Sequence, residues 1–176
     1  MTTTELTALE PACTREQALA LFDRLPAVSA AELTGRWHGR ELATGHPMDG
    51  LLDASGWYGK QFDGPDSVHP LLFGDPSAGI YAVDPRRIPL GLADRAPAPL
   101  VARGRGLMRV LEPALRTRRY RARLRDIEFR GEVTAAMIYD HLPIIDVFRR
   151  VDETTLLGLM DFRDRPAPYF FILERD

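Results

Sequence analysis

The sequence predicts a mainly β protein: an antiparallel barrel with an N-terminal helix and a helical insert. Three observations carry this. Over the last third of the chain, apolar or aromatic runs of strand length recur between turn residues at the spacing of an antiparallel meander. Earlier, Gly35-Arg36-Trp37-His38-Gly39 opens a run whose side chains alternate in the strand period of two. The strands sum to roughly nine, and a twisted sheet of that size closes on itself more readily than it stays open.

The elements follow in order. Residues 1–13 are polar and without pattern, and are expected to be a flexible, frayed terminus. Thr14-Arg15-Glu16-Gln17 is a capping box, after which Ala18, Leu19, Leu21, Phe22 and Leu25 recur at helical spacing until Pro26. A second box, Ser29-Ala30-Ala31-Glu32, starts one turn that leads into Gly35. Along the strand from Gly35 to Leu42, Trp37, Gly39 and Glu41 share one face, and the glycines beside Trp37 leave room for another group to lie close. Thr44-Gly45-His46-Pro47 breaks that strand, and residues 48–55 read as a short helix.

Trp57 to Phe62 and Val68 to Phe73 form a hairpin across Asp63-Gly64-Pro65-Asp66. Ala78 to Val83 is a further strand, and Pro/Gly-rich coil extends through Pro99. Leu100, Leu107, Val110, Leu111 and Leu115 mark a helix, weakened by Gly104, Gly106 and Pro113. The closing strands are Tyr120–Arg130, Glu132–Tyr139, Ile144–Arg150, Thr154–Phe162 and Pro168–Glu174.

Composition excludes several functions. A formal net charge of −2 on 176 residues gives no basic field for nucleic acid, and there is no apolar stretch of membrane-spanning length. The lone cysteine, Cys13, leaves no intrachain disulfide to form, and the first residues lack the pattern of a secretory leader, so a soluble cytoplasmic protein is expected. The run Arg116, Arg118, Arg119, Arg121, Arg123 and Arg125 reads as a solvated strand face, with an anionic head group as the alternative.

Among the chemistry-bearing residues, His38, His46, His69 and His141 show no metal-ligand spacing, so no metal site is predicted. Neither a phosphate-binding glycine loop nor a Gly-x-Ser-x-Gly elbow is present. Lysine usage is the anomaly. The chain carries 22 arginines and one lysine, Lys60: either the position calls for a compact ammonium instead of a planar fork, or a single lysine has survived drift towards arginine. Trp57, Tyr58, Lys60, His69, Tyr139, Asp140 and Asp146 combine aromatic and titratable groups on strands or at strand ends. Barrel closure would turn some of them into a lumen suited to an apolar molecule with a few polar contacts.

Extended motifs tie the chain to a family. Gly35-Arg36-Trp37-His38-Gly39, Thr44-Gly45-His46-Pro47-Met48-Asp49-Gly50-Leu51, Gly56-Trp57-Tyr58-Gly59-Lys60 and Val68-His69-Pro70-Leu71 resemble the bacterial GXWXG family, a group without an established activity. So do Ala135-Ala136-Met137-Ile138-Tyr139-Asp140, Pro143-Ile144-Ile145-Asp146 and Leu157-Gly158-Leu159-Met160-Asp161. The resemblance covers residues 18–176 and implies a single domain over 14–176, divided into a motif part (14–74), a coil and helical insert (75–119) and a meander (120–176). The first motif is also similar to the signature of the calycins, the lipocalin and fatty-acid-binding barrels. That likeness implies a calycin-like barrel with Trp37 as a structural floor residue and Arg175 packed across its ring. Calycin-related haem-binding barrels use a histidine near the C-terminus. Here the last is His141, so no cofactor is expected, haem being the option least supported.

The function expected is binding of a hydrophobic small molecule, a fatty acid or other lipid-like metabolite, by Trp57, Tyr58, Lys60, His69, Tyr139 and Asp146. One alternative is an isomerase or cyclase of an apolar substrate, with Lys60, His69, Tyr139 or Asp140 as acid or base. The other is a structural or protein-interaction module. No nucleic-acid or integral-membrane partner is expected, and a homodimer stays open.

Overall fold

Strand boundaries follow the turn chemistry closely. In a computed structural model that describes residues 2–77, 79–88, 104–163, 165 and 167–176, nine strands form one antiparallel sheet. They are β1 (Gly35–Leu42), β2 (Trp57–Gly64), β3 (Ser67–Asp75), β4 (Gly79–Ala82), β5 (Ala122–Phe129), β6 (Glu132–Tyr139), β7 (Ile144–Arg150), β8 (Thr155–Phe162) and β9 (Tyr169–Arg175). Of the coil expected through Pro99, Pro85–Arg87 form a 3-10 turn capped by Asp84, and residues 89–99 lie outside the described residues, as do Leu100 and Ala78. Helices α1 (Thr2–Leu9), α2 (Arg15–Arg24), α3 (Leu51–Ser55) and α4 (Gly104–Leu115), with 3-10 turns at Ala30–Glu32 and Pro85–Arg87, complete the described elements. The expected capping box at Thr14 is present: its side chain accepts from the Gln17 amide, and Gln17 accepts from the Thr14 amide. Residues 2–9 correct the expectation of a frayed terminus. They form α1, and the buried Leu6 anchors it beside α2.

The sheet runs β2-β1-β9-β8-β7-β6-β5-β3-β4, and β2 also pairs with β3, so eight strands close into a ring with β4 outside it. Closure is uneven. The β5–β6 ladder has eight Cα partners, whereas β3 meets β5 at the single pair Val68 and Ala122. The Arg121 and Leu124 amides reinforce that seam by donating to the Val68 and Pro65 carbonyls at 3.0 and 2.8 Å. Side chains of the arginine run clamp it: Arg121 pairs with the buried Asp84 at 2.8 Å and Arg125 with Asp66 at 2.7 Å. Arg123 and Arg125 are exposed, as a solvated face requires.

Two apolar layers result. Inside the ring, Trp37, Trp57, Phe62, Phe148, Phe171 and their neighbours form the larger core. Outside it, α1 and α2 press Leu6, Leu21 and Phe22 onto Leu42, Ala136, Val147, Leu157, Phe170 and Ile172. Strands β6 to β9 are therefore buried on both faces at mid-length.

Each end of β1 meets a plug. Where it begins, the segment before Gly35 docks through the Ala135 amide on the Val28 carbonyl (2.7 Å) and the Ala30 amide on Asp126 (2.7 Å). Where it ends, the Glu41 carboxylate accepts from the Gly50 and Leu52 amides, both at 2.7 Å, and Asp49 accepts from the amides of Thr44, Gly45 and His46. These acceptors satisfy the start of α3 and pin the 44–55 segment across the ring.

Candidate functional site

The site begins with a local irregularity of β2. Period-two alternation puts Trp57 and Lys60 on opposite faces, yet both are buried inside the ring with Phe62. A register shift around Gly59 reconciles them. Gly59 has φ +151°, and a Cβ there would stand 1.9 Å from the Trp37 carbonyl oxygen, so only glycine fits. Gly39 makes room in another way, since a Cβ on it would lie 2.2 Å from the Trp57 ring; the GXWXG glycine is the seat of that indole.

Lys60, with 2% exposure, projects from this bulge into the ring. Its ammonium donates to Asp146 Oδ2 at 2.7 Å and to the Pro70 carbonyl at 3.2 Å. Asp146, 1% exposed, comes from the opposite wall on β7, at the alternation of Ile144 and Phe148. Three rings surround the ammonium, with centroids at 5.0 Å (Phe171), 5.7 Å (Trp57) and 5.8 Å (Tyr139), distances at which a cation is attracted to a ring face. Trp57 and Phe148 both meet Phe171 edge-on at 87° and 83°, so the aromatic wall is itself locked.

The electrostatics are those of a desolvated pair. Burial raises the proton affinity of Asp146, which the adjacent Lys60 partly offsets. Burial, then the Asp146 charge, pushes the Tyr139 phenol well above its ordinary range, so it stays protonated. Polar valence is left over. Among the described residues, Trp57 Nε1 and Asp146 Oδ1 are buried with no hydrogen-bond partner, and two of the three ammonium donors of Lys60 have acceptors.

The other predicted residues lie elsewhere. Tyr58 faces outward, donating to Asp176 at 2.8 Å and packing on the His38 ring. His69 is on the outer side of β3 against Tyr120; its Nδ1 is buried without a partner among the described residues, and burial lowers its pKa. Asp140 is exposed and pairs with Arg123 at 3.0 Å. Trp37 donates to the Thr34 carbonyl, and the Arg175 guanidinium lies 4.8 Å from its ring centroid.

Sequence reasoning missed Phe171, whose only signal was an apolar run. It also missed the polar cluster where β1 ends, in which the buried Tyr169 hydroxyl donates to Glu41 and His46 packs on the Tyr169 ring. Burial and the neighbouring Glu41 drive the Tyr169 pKa upward.

A cleft of about 940 Å³ opens between α3, α4 and the outer surface of β1 and β2, within the size range of small-molecule sites. His38, Tyr58, Tyr81, Arg105 and Met108 line it, and so does Trp57, which thereby touches both the cleft and Lys60. Among the described residues, no cluster of three or more His, Cys, Asp or Glu is placed to hold a metal ion, and no helix is long and apolar enough to cross a membrane.

Comparison with known proteins supplies relatives but no activity. Residues 20–77 match the family described as GXWXG protein, and residues 120–175 match a domain of unknown function (DUF4334). A crystal structure of a protein from Thermomonospora curvata is similar along almost the whole chain. It has 33% sequence identity, covers 93% of this chain and 88% of that one, and gives a TM-score of 0.69. No curated protein matches.

Proposed function

This chain belongs to the GXWXG family, and from that premise we propose that its ring is a calycin-like barrel that encloses an apolar small molecule. The ligand is a fatty acid or similar lipid-like metabolite, held by its polar end at the Lys60–Asp146 pair. The carrying observation is that pair itself, buried among three aromatic rings beside polar atoms left without a partner among the described residues. Removing two charges from water costs several kcal/mol each, and apolar replacements of such pairs are often neutral or stabilising by about 1–4 kcal/mol. Stability is therefore a poor account of Lys60 and Asp146, whereas anchoring a polar group inside an apolar lining is a good one.

On this reading Trp57, Tyr139 and Phe171 supply the apolar lining, while Lys60 and Trp57 Nε1 donate to the ligand's oxygen. Tyr58 and His69 drop out of the contact set, and Trp37 with Arg175 serves the floor. The protein works in the cytoplasm and needs no cofactor. Fluorescent fatty-acid titration of the purified protein, with mass spectrometry of molecules that co-purify, tests the proposal. Saturable binding at one site per chain is expected, and the absence of both binding and any co-purified apolar molecule refutes it.

A second reading, acid-base catalysis on an apolar substrate, draws on the same geometry. Asp146, with its raised proton affinity, stands 2.7 Å from an ammonium and can exchange a proton with it or with a substrate. Of the acid-base candidates, Lys60 and Tyr139 are in the ring, whereas His69 and Asp140 are outside it.

A further inference from the structure

Lys60 differs in kind from the other 22 side-chain cations of the chain. A guanidinium stays protonated in any protein environment, whereas an amine can give up its proton and become a nucleophile. The lysine has a proton acceptor already in place: it is nearly without water and lies 2.7 Å from one oxygen of a carboxylate whose other oxygen has no partner among the described residues. A buried nucleophile with a base in hydrogen-bond reach is the arrangement that covalent catalysis uses.

We infer that Lys60 condenses with the carbonyl carbon of an apolar aldehyde or ketone held in the ring, giving an imine whose counter-ion is Asp146. This rests on the binding proposal above and names the substrate class of the same site. The Lys60 ammonium first passes one proton to Asp146, whose burial favours the neutral acid. The freed amine attacks the carbonyl carbon, and a second proton moves from nitrogen to the former carbonyl oxygen. Asp146 then returns its proton to that oxygen, the C–O bond breaks, and water leaves. The nitrogen keeps one hydrogen and a positive charge opposite the regenerated carboxylate. Three ammonium protons are accounted for, two in water and one on the iminium, and no oxidant or reductant enters. Trp57 Nε1, buried and without a partner among the described residues, is the protein's available donor to the carbonyl oxygen as negative charge develops on it. The same indole lines the cleft and lies 5.7 Å from the Lys60 ammonium at its ring centroid, so the cleft side is the approach for the aldehyde.

The single lysine makes the test unambiguous. Full-length protein is incubated with decanal or cinnamaldehyde at neutral pH, reduced with sodium cyanoborohydride, and read by intact mass and peptide mapping. The α-amino terminus serves as internal reference. The expected result is one adduct, the mass of the aldehyde less one oxygen, mapped to Lys60 and formed at least ten times faster than on the terminus. Lys60→Met/Asp146→Leu, which replaces the pair by apolar residues and so avoids stranding a charge, loses that adduct and keeps terminal labelling. Decanol displacement of a fluorescent fatty acid is measured in parallel. If decanol displaces the probe but no aldehyde is trapped on Lys60, the imine is refuted and the binding proposal stands. If decanol fails to bind and nothing is trapped, both fall.

Discussion

Among the described residues, each face of the sheet buries one cation, and the two are treated in opposite ways. Inside the ring, Lys60 has a carboxylate at 2.7 Å, and the pair retains unmet polar atoms beside an aromatic wall. On the outer face, Arg149, equally buried, has no carboxylate within ion-pair distance among the described residues. It rests on the Phe22 ring at 5.4 Å, reaches the Phe129 carbonyl at 3.5 Å and leaves Nε without a partner among those residues. The guanidinium is covered by α2 and the meander, and its length of apolar stem belongs to that layer. The difference separates packing from chemistry. A weakly hydrated, permanently charged arginine can be tolerated as filler, whereas an ammonium facing a carboxylate forms a pair that can move a proton.

The largest effect expected from breaking this contrast is on the inner face. Lys60→Met leaves the Asp146 charge buried alone and should lower unfolding free energy by about 3–5 kcal/mol in a denaturant titration, while Lys60→Met/Asp146→Leu should restore or exceed wild-type stability. Next is the seat of Trp57. Gly39→Ala forces a methyl to within 2.2 Å of the indole and should cost about 1–3 kcal/mol through overpacking, moving the ring off Lys60 and changing tryptophan fluorescence. Arg149→Met, a near-isosteric swap of an unpaired cation, should change stability by less than about 1.5 kcal/mol. A loss as large as that of Lys60→Met would abolish the distinction between the faces.

The smallest effect is on pH dependence, and its sign differs between two carboxyls. Arg86, with Arg121 nearby, holds the seam residue Asp84 at about 2, below its usual 3.8, so its stabilisation is present above the usual value and lost as pH falls towards 2. Asp84→Asn should flatten that limb of the stability curve. Asp146 is raised, so its ionisation lowers stability as pH rises through its folded value. Stripped of its partner in Lys60→Met, it should make that variant gain on wild type as pH falls.

Much of the fold could be read directly from the chain. Gly35–Leu42, Glu132–Tyr139 and Ile144–Arg150 are strands to the residue, because turn residues bound each run of alternating or apolar positions. Helix α1 escaped notice because within it Leu6 alone supplies a fully buried anchor, too little for a period. Lys60 stood out by composition and Asp146 by its strand, yet their pairing spans 86 residues and depends on closure of the ring, which no local pattern encodes. Tyr58 is expected in the pocket from its place among the aromatics, yet its own alternation from Trp57 turns it outward. The bulge at Gly59 then resets the phase so that Lys60 joins Trp57 inside.

Whether the inner pair anchors a ligand is decided by titrating cis-parinaric acid into wild type and into Lys60→Met/Asp146→Leu, both verified as folded. Saturable binding to wild type and at least tenfold weaker binding to the double variant are expected. Equal affinity in the two proteins would refute the anchoring role of Lys60 and Asp146.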